Sequence, residues 1–492
     1  MISVTGDVRE GDGSARWLAL PQPAERVLEE GRWRPDGVTV EAADPVLARE
    51  AERLRAEVSA LGIDGGRESR VSLRIDPRLA PEGFTIEVGA DVVVEASTAT
   101  GAFRATRQLL HNLRAQGFVP HGRVAGEPVV GERGLHLDAG RKHYPADWIV
   151  ELLRAAADVG INTFQWHFSE NEGFRLASEA FPEVVSSAHI TRAEAAHILA
   201  EAEDLHIAVV PSLDMPGHLR RVLAAHPDLR LPAGIDAPDA AIVGTDHALD
   251  ITRPEAVDFA RRLIDDIAPV FAGCRGWHLG GDEFVDFARM DDYPALTEAA
   301  HRRFGPDGTG FDLLTAFVDE IAAHVRGLGF EPRVWNDGML RSGAVRLDPD
   351  VVLTWWTNWN AGMRPLSDAL AAGNPLVNVN DGLFYYVLGE KAGYRYPTAE
   401  RIWAVDWHPG LFPVLPGGVR QEILRPYPPR LRGCSFAIWS DDPEGQTPQE
   451  VAAGIRSPLR AMAERAWNGG SALSFGAFEE LDRAIGRPAL SG

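Results

Sequence analysis

The sequence predicts a (β/α)8 (TIM) barrel preceded by a small α+β domain, and three observations predict it. The chain has 492 residues, 45% of them hydrophobic, enough for one large core and a smaller second one. From residue 133 onward, short apolar runs alternate with helical segments, eight runs in all. Nearly every run ends in polar or aromatic residues, as barrel strands do when their C-terminal ends build a site.

The elements follow in order. Residues 1–130 form the predicted small domain, with strands in VSLRIDP (71–77), GFTIEVGADVVVEAS (83–97) and HGRVAGEPVV (121–130). Helices are predicted over 43–62 and over 100–117, the second stopping at Gly117, because glycine ends helices readily. The barrel is predicted over 131–492. Its strands are predicted at GLHLD (134–138), NTFQWHF (162–168), IAVVPSL (207–213), GWHLG (276–280), PRVWN (332–336), VVLTWW (351–356), PLVNVN (375–380) and CSFAIW (434–439). Helices are expected at 146–158, 191–204, 253–268, 313–327 and 364–372, and 402–430 reads as a long loop excursion. An open doubly wound sheet is the alternative, but eight such units favour closure into a barrel. The closing GRPALSG (486–492) reads as a frayed tail.

Bulk properties narrow the function. The net charge of −22 leaves no basic excess to neutralise phosphates, so nucleic acid is not an expected partner. No apolar run is long enough to span a membrane. Cys274 and Cys434 each open an apolar run and read as buried free thiols. The first residues lack a basic stretch followed by an apolar one, which predicts a cytoplasmic location. A chain trimmed of its leader would read the same and would be secreted. Both a monomer and a homodimer fit.

The chemistry concentrates in WHLGGDEF (277–284). Successive side chains of a strand point to opposite faces, so Asp282 and Glu283 must straddle a turn out of the strand. Gly280 and Gly281 permit that turn. Two acids could then approach one substrate from different directions, Glu283 acting as a general acid held protonated by burial and nearby negative charge. Other strand ends bring His167, Asp214, His218, His278, Trp335, Trp355, Trp356, Trp439 and Asp441 toward the same mouth, and these are the candidate substrate-binding residues. Indole rings suit the apolar faces of sugars, and paired acids suit glycoside hydrolysis. Trp148 and Trp467 fall on predicted helices and read as core. His136, taken alone, reads as a hydrogen-bonded core residue.

These motifs resemble those of the family 20 glycoside hydrolases, the β-N-acetylhexosaminidase family. HLGGDE (278–283) matches the family's catalytic signature, and DMPGH (214–218), LHLDAGRKHY (135–144), WHFSENEGFR (166–175) and AERAW (463–467) match further family segments. The resemblance implies a retaining, exo-acting β-N-acetylhexosaminidase that removes terminal β-linked GlcNAc or GalNAc, in which the substrate's own acetamido oxygen attacks the anomeric carbon. It implies that Asp282 holds the acetamido N–H, that Glu283 is acid and then base, and that Arg141 reads the non-reducing sugar. A tyrosine that donates to the acetamido carbonyl falls on Tyr386, with Tyr385 as competitor. The partner is a 2-acetamido sugar, and no cofactor or metal is expected.

The chain departs from the family pattern in its sugar-reading groups. It has Glu170, Asn171, Glu172, Gly173 and Phe174 for the common D-D-Q-G-W, Ser212 for a Glu, and Asp441 for a sugar-binding Glu. Leu388 stands where an acid is expected after Tyr386-Val387. The altered wall leaves open a relative that releases a disaccharide or cleaves a poly-N-acetylglucosamine-type glycan. Rivals of another class are a metal-dependent barrel hydrolase using His136, Asp138, His167, His218 and His278, and a non-catalytic carbohydrate-binding protein.

Overall fold

The computed structural model describes residues 16–65, 68–234, 245–359 and 362–486. The chain's opening residues and most of GRPALSG, read above from the sequence, lie outside them. The chain divides into two compact units: the first takes in residues up to Pro128 together with those from Ser471, and the second runs from Val129 to Gly470. The boundary expected at 130 lies close to this one. The last helix, Phe475–Ile485, was expected with the barrel; instead it packs with helix Ala99–Gln116 in the first unit.

In the first unit, six strands make a mixed sheet: β1 (Glu25–Trp33), β2 (Gly37–Ala42), β3 (Glu68–Ile75), β4 (Phe84–Val88), β5 (Val92–Ala96) and β6 (Val119–Gly126). Their order is β1-β6-β4-β5-β3-β2. The stretch 83–97 is a hairpin rather than one strand, because the chain turns at Gly89, whose N–H bonds to the Asp91 carbonyl. β1 and β2 were not anticipated. β1 (ERVLEEGRW) is exposed along nearly its whole length at the sheet edge, so it carries no apolar alternation to read. Helix Ala99–Gln116 starts where the Thr98 side chain accepts the Gly101 N–H and stops at Gly117, φ 68°, as the sequence predicts.

In the second unit all eight predicted strands form: β7 (Glu132–Asp138), β8 (Thr163–His167), β9 (Ala208–Met215), β10 (Gly276–Gly280), β11 (Glu331–Trp335), β12 (Val352–Trp355), β13 (Leu376–Asn378) and β17 (Leu431–Trp439). They are parallel, and pairing of β17 with both β13 and β7 closes the barrel. The helices Ala146–Asp158, Arg192–Asp204, Pro254–Ile267, Gly310–Gly327 and Leu366–Ala372 match expectation. The excursion 402–430 is more ordered than its composition suggests, since it holds a hairpin of β15 (Leu411–Leu415) and β16 (Val419–Glu422).

One irregularity shapes the mouth. β13 is only three residues long; the chain then makes a short helix, Asp381–Phe384, and returns as β14 (Tyr385–Val387). β17 pairs with β13 over its first half and with β14 over its second, Tyr385 facing Ala437 and Val387 facing Trp439. The seventh strand is thus interrupted and resumed one level higher. Among the described residues, no helix is long and apolar enough to cross a membrane.

Candidate active site

The site starts where β10 ends. Gly280 and Gly281 have φ 80° and 89°, a region that favours glycine. A Cβ on Gly280 would lie 1.2 Å from Asp214 Oδ1, so that carboxylate occupies the room a side chain would need. The chain then delivers Asp282, which is buried, and Glu283, whose side chain is 52% exposed. Glu283 itself has φ 42°, a conformation that costs a non-glycine residue about 1 kcal/mol or more unless its surroundings enforce it. The Glu283 N–H donates to Asp337 Oδ2 at 3.2 Å, and its carbonyl accepts from His247 Nε2 at 3.3 Å. The sequence reading expected burial to hold Glu283 protonated; burial falls instead on Asp282 and Asp337, because the turn aims Glu283 into the open cavity.

His218 links the acids. Its Nδ1 lies 2.8 Å from Glu170 Oε1, while Nε2 lies 3.5 Å from Asp282 Oδ2 and 3.6 Å from Glu283 Oε2. Burial works against a charged ring, but Glu170, Asp282 and Asp214 outweigh it and hold His218 well above its ordinary range. Burial pushes Asp282 well above the usual carboxylate range, with Asp214, Asp337 and Glu283 adding to the rise and His218 opposing it. Asp214, directly behind, is raised chiefly by burial. Its oxygens meet no N–H donor among the described residues, so a proton shared with Asp282 is the arrangement that satisfies both.

The opposite wall is built on Arg141. Its guanidinium lies 2.9 Å from Asp138, 2.7 Å from Glu170 and 3.6 Å from Glu172, and it sits over the Trp439 ring, 5.5 Å from the centroid. Burial alone would raise Glu170, but Arg141 and His218 hold it well below the usual range. Asp441 completes this wall; burial raises its carboxyl against the pull of Arg141.

Between the walls lies a cavity of about 590 Å³, lined on the aromatic side by Trp356, Trp359, Tyr385, Tyr394 and Trp439. Strand alternation decides which aromatics reach it. Tyr385 and Val387 face the cavity. Tyr386, preferred from the sequence, points the other way: it stacks on Tyr396 at 4.4 Å, and a Cβ on Gly454 would meet its hydroxyl. Trp355 likewise turns outward to Phe412 and donates to Asn358, while Trp356 faces in. Burial, then Tyr394, Asp381 and Asp282, push the Tyr385 hydroxyl well above its ordinary range, so it stays a donor.

Four further candidates lie one layer below the cavity rather than on its wall. His278 is fully buried, 3.2 Å from Thr354 Oγ1, and Trp335 packs on it at 4.6 Å. His167 bonds to Ser212 at 3.1 Å and lies 3.7 Å from Glu170. Asp214 backs Asp282. Barrel interiors fill in layers, and the loops that leave these strands carry the cavity above the layer these side chains fill. His136 is buried with them; burial and the neighbouring His167 hold it well below its ordinary range. The sequence places Glu170, Asp337 and Asp381 at strand ends facing the mouth without giving them a role there, and it does not mark Trp359 or Tyr394. The strand-end position was the available signal; Tyr394 arrives on the loop after β14, which carried none.

Two side-chain groups have the spacing of a cation site: His167 with Glu170 and Asp214, and Asp214 with His218 and Asp282. In the second, both ring nitrogens of His218 already face carboxylates, and a protonated ring offers no lone pair to a metal.

Comparison with known proteins agrees with this geometry. The model of the glycosyl hydrolase family 20 catalytic domain matches residues 132–470, and that of the family's domain 2 matches 20–126. The chain belongs to glycosyl hydrolase family 20. Among family 20 relatives, a lacto-N-biosidase of Bifidobacterium bifidum is 28% identical over 454 residues, covering 89% of this chain and 38% of the relative. A β-hexosaminidase of Porphyromonas gingivalis is 27% identical over 285 residues, covering 50% of this chain and 35% of the relative. The chain thus spans little more than a third of the length of these two relatives. The solved β-N-acetylhexosaminidase of Bacteroides fragilis shares the fold with a TM-score of 0.75 at 23% identity, covering 94% of this chain and 93% of that one. The barrel carries the family's glycosidase architecture.

Proposed function

We propose that this chain is an exo-acting retaining glycosidase that cleaves β-linked 2-acetamido sugars with the substrate's acetamido group as nucleophile. One observation carries the reading: buried Asp282 shares a cavity with Tyr385 and the Trp356 wall, while Glu283 stands at its open side. Asp282 accepts the acetamido N–H, and Tyr385 donates to the carbonyl oxygen, fixing that oxygen beneath the anomeric carbon. As the oxygen attacks, the glycosidic bond breaks and Glu283 gives its proton to the departing oxygen. The oxazolinium cation forms in a site rich in carboxylates, which stabilise developing positive charge. Glu283 then takes a proton from water as that water attacks the same carbon. The carbonyl oxygen leaves, and configuration is retained. His218, held charged by Glu170, partners Asp282 and Glu283 as their charges change.

The unit released is proposed to be a disaccharide ending in the acetamido sugar. A cavity of about 590 Å³ suits a ligand larger than one ring, since pockets of roughly 300–1,000 Å³ bury drug-sized molecules. Asp441 is shorter than the family Glu, and Val387 adds an apolar side chain to the cavity lining. The Bifidobacterium relative, aligned over 89% of this chain, is named a lacto-N-biosidase. The test is 4-nitrophenol release from β-lacto-N-bioside against β-GlcNAc and β-GalNAc glycosides. Higher kcat/KM on the disaccharide supports the reading; preference for a monosaccharide returns the chain to simple hexosaminidase action. No turnover of any N-acetyl glycoside sinks both.

A further inference from the structure

We propose that Asp337 is a positioning residue that ties the leaving-group acid Glu283 to the aromatic wall of the acetamido pocket; this rests on reading Glu283 as the proton donor. Asp337 follows β11 and is buried, 1% exposed. Its two carboxylate oxygens serve two different walls. Oδ2 accepts the Glu283 N–H at 3.2 Å, and Oδ1 accepts the Trp356 indole N–H at 3.0 Å. Trp356 in turn stacks on Tyr385, ring planes 1° apart and centroids 5.7 Å apart. One carboxyl group therefore sets the distance between the acid and the rings that enclose the acetamido group.

The strain at Glu283 shows why such a tie is needed. A glutamate at φ 42° relaxes unless its peptide groups are held. Asp337 holds its N–H and His247 holds its carbonyl, so the backbone is clamped at both ends. Asp337 itself is fixed by close packing: a Cβ on Gly338 would come within 2.9 Å of the Gly281 carbonyl oxygen and 2.8 Å of the Phe287 ring. Arg341 bonds to the Asp337 main-chain carbonyl rather than to its carboxylate. The carboxylate is left to the catalytic loop and the indole.

Asn at this position has a single acceptor oxygen, so it can serve Glu283 or Trp356 but not both. The test compares Asp337→Asn with wild type on an N-acetyl glycoside bearing a poor leaving group (an alkyl or sugar aglycone) and on one bearing 2,4-dinitrophenol, which departs without a proton. A misaimed acid costs on the order of 100-fold in kcat/KM with the poor leaving group and only a few-fold in kcat/KM with dinitrophenol, since kcat/KM reports the step that breaks the glycosidic bond and not the base-assisted second step. Equal loss on both, or no loss, overturns the proposal. Glu283→Gln runs alongside and should show the same split, more steeply. If Glu283→Gln lacks it, the acid assignment fails; if Glu283→Gln shows it and Asp337→Asn does not, only the positioning role fails. Should Asp337→Asn not fold, His247→Gln loosens the other end of the clamp and must show the split more weakly, its absence again overturning the proposal.

Discussion

The two walls of the cavity use the same residue types to opposite ends. On the Arg141 wall, Asp138, Glu170 and Glu172 all lie within 3.6 Å of one guanidinium, and against burial Arg141 and His218 hold the Glu170 carboxyl well below the usual range. On the Asp282 wall, Asp214, Asp282 and Asp337 crowd together in burial, with His218 opposing the rise at Asp282. Asp337 is pushed up to about 7 and Asp381 to about 6, both chiefly by burial. Paired acids hold a shape that can read hydroxyls; crowded acids hold protons that move near neutral pH. On the proposed mechanism, recognition and proton transfer divide between walls that a count of acidic residues would not separate.

The most severe way to break the comparison is to alter the acid-rich wall at its reacting groups. Asp282→Asn and Glu283→Gln should each lower kcat/KM on an unactivated N-acetyl glycoside by about 10²–10⁴-fold, measured by steady-state kinetics. Wild-type rates in either variant would remove that residue from the chemistry. Next comes the pair of adjacent tyrosines. Tyr385→Phe removes a donor into the cavity and should cost about 10–100-fold in kcat, whereas Tyr386→Phe should stay within about two-fold, since its ring faces Tyr396 outside the cavity. Equal effects would mean that strand alternation does not place the donor as argued.

On the recognition wall the effect is smaller and concerns choice. Asp441→Glu lengthens the acid toward the sugar and should move the ratio of monosaccharide to disaccharide kcat/KM toward the monosaccharide by about 10-fold, on the order of one hydrogen bond's worth. An unchanged ratio would place the selection elsewhere. The smallest effect is on stability. Asp337 has a folded pKa of about 7 against an ordinary 3.8, so between these values the unfolded chain sheds the proton first and folded stability falls as pH rises. Asp337→Asn removes that penalty. Its Tm difference from wild type should therefore shift in the variant's favour from pH 4.5 to pH 7.5, read by thermal melts; a constant difference would mean that Asp337 does not titrate in this window.

The barrel was legible because eight apolar runs alternate with helical segments, and HLGGDE announced the turn out of β10. What the sequence concealed was orientation within two short strands. Tyr385 and Tyr386 differ by one position, and only the resumption of β14 beside β17 decides which faces inward. Trp355 and Trp356 pose the same question after β12. Depth was hidden as well: His167, His278 and Trp335 end or nearly end strands, yet the barrel's layers place them below the cavity floor. Asp337 and Tyr394 act through distant partners, Glu283 and Asp381, which no local pattern records. Edge strand β1, exposed and charged, lacked the alternation that betrays a strand.

The central claim is that the substrate's acetamido oxygen is the nucleophile. The measurement that tests it most directly is kcat/KM on a series of one glycoside whose N-acyl group carries zero, one, two and three fluorines. Each fluorine makes the carbonyl oxygen a poorer nucleophile, so the account predicts a steep, monotonic fall in rate across the series. A flat response would show that an enzyme carboxylate or a water attacks instead, and would contradict the account.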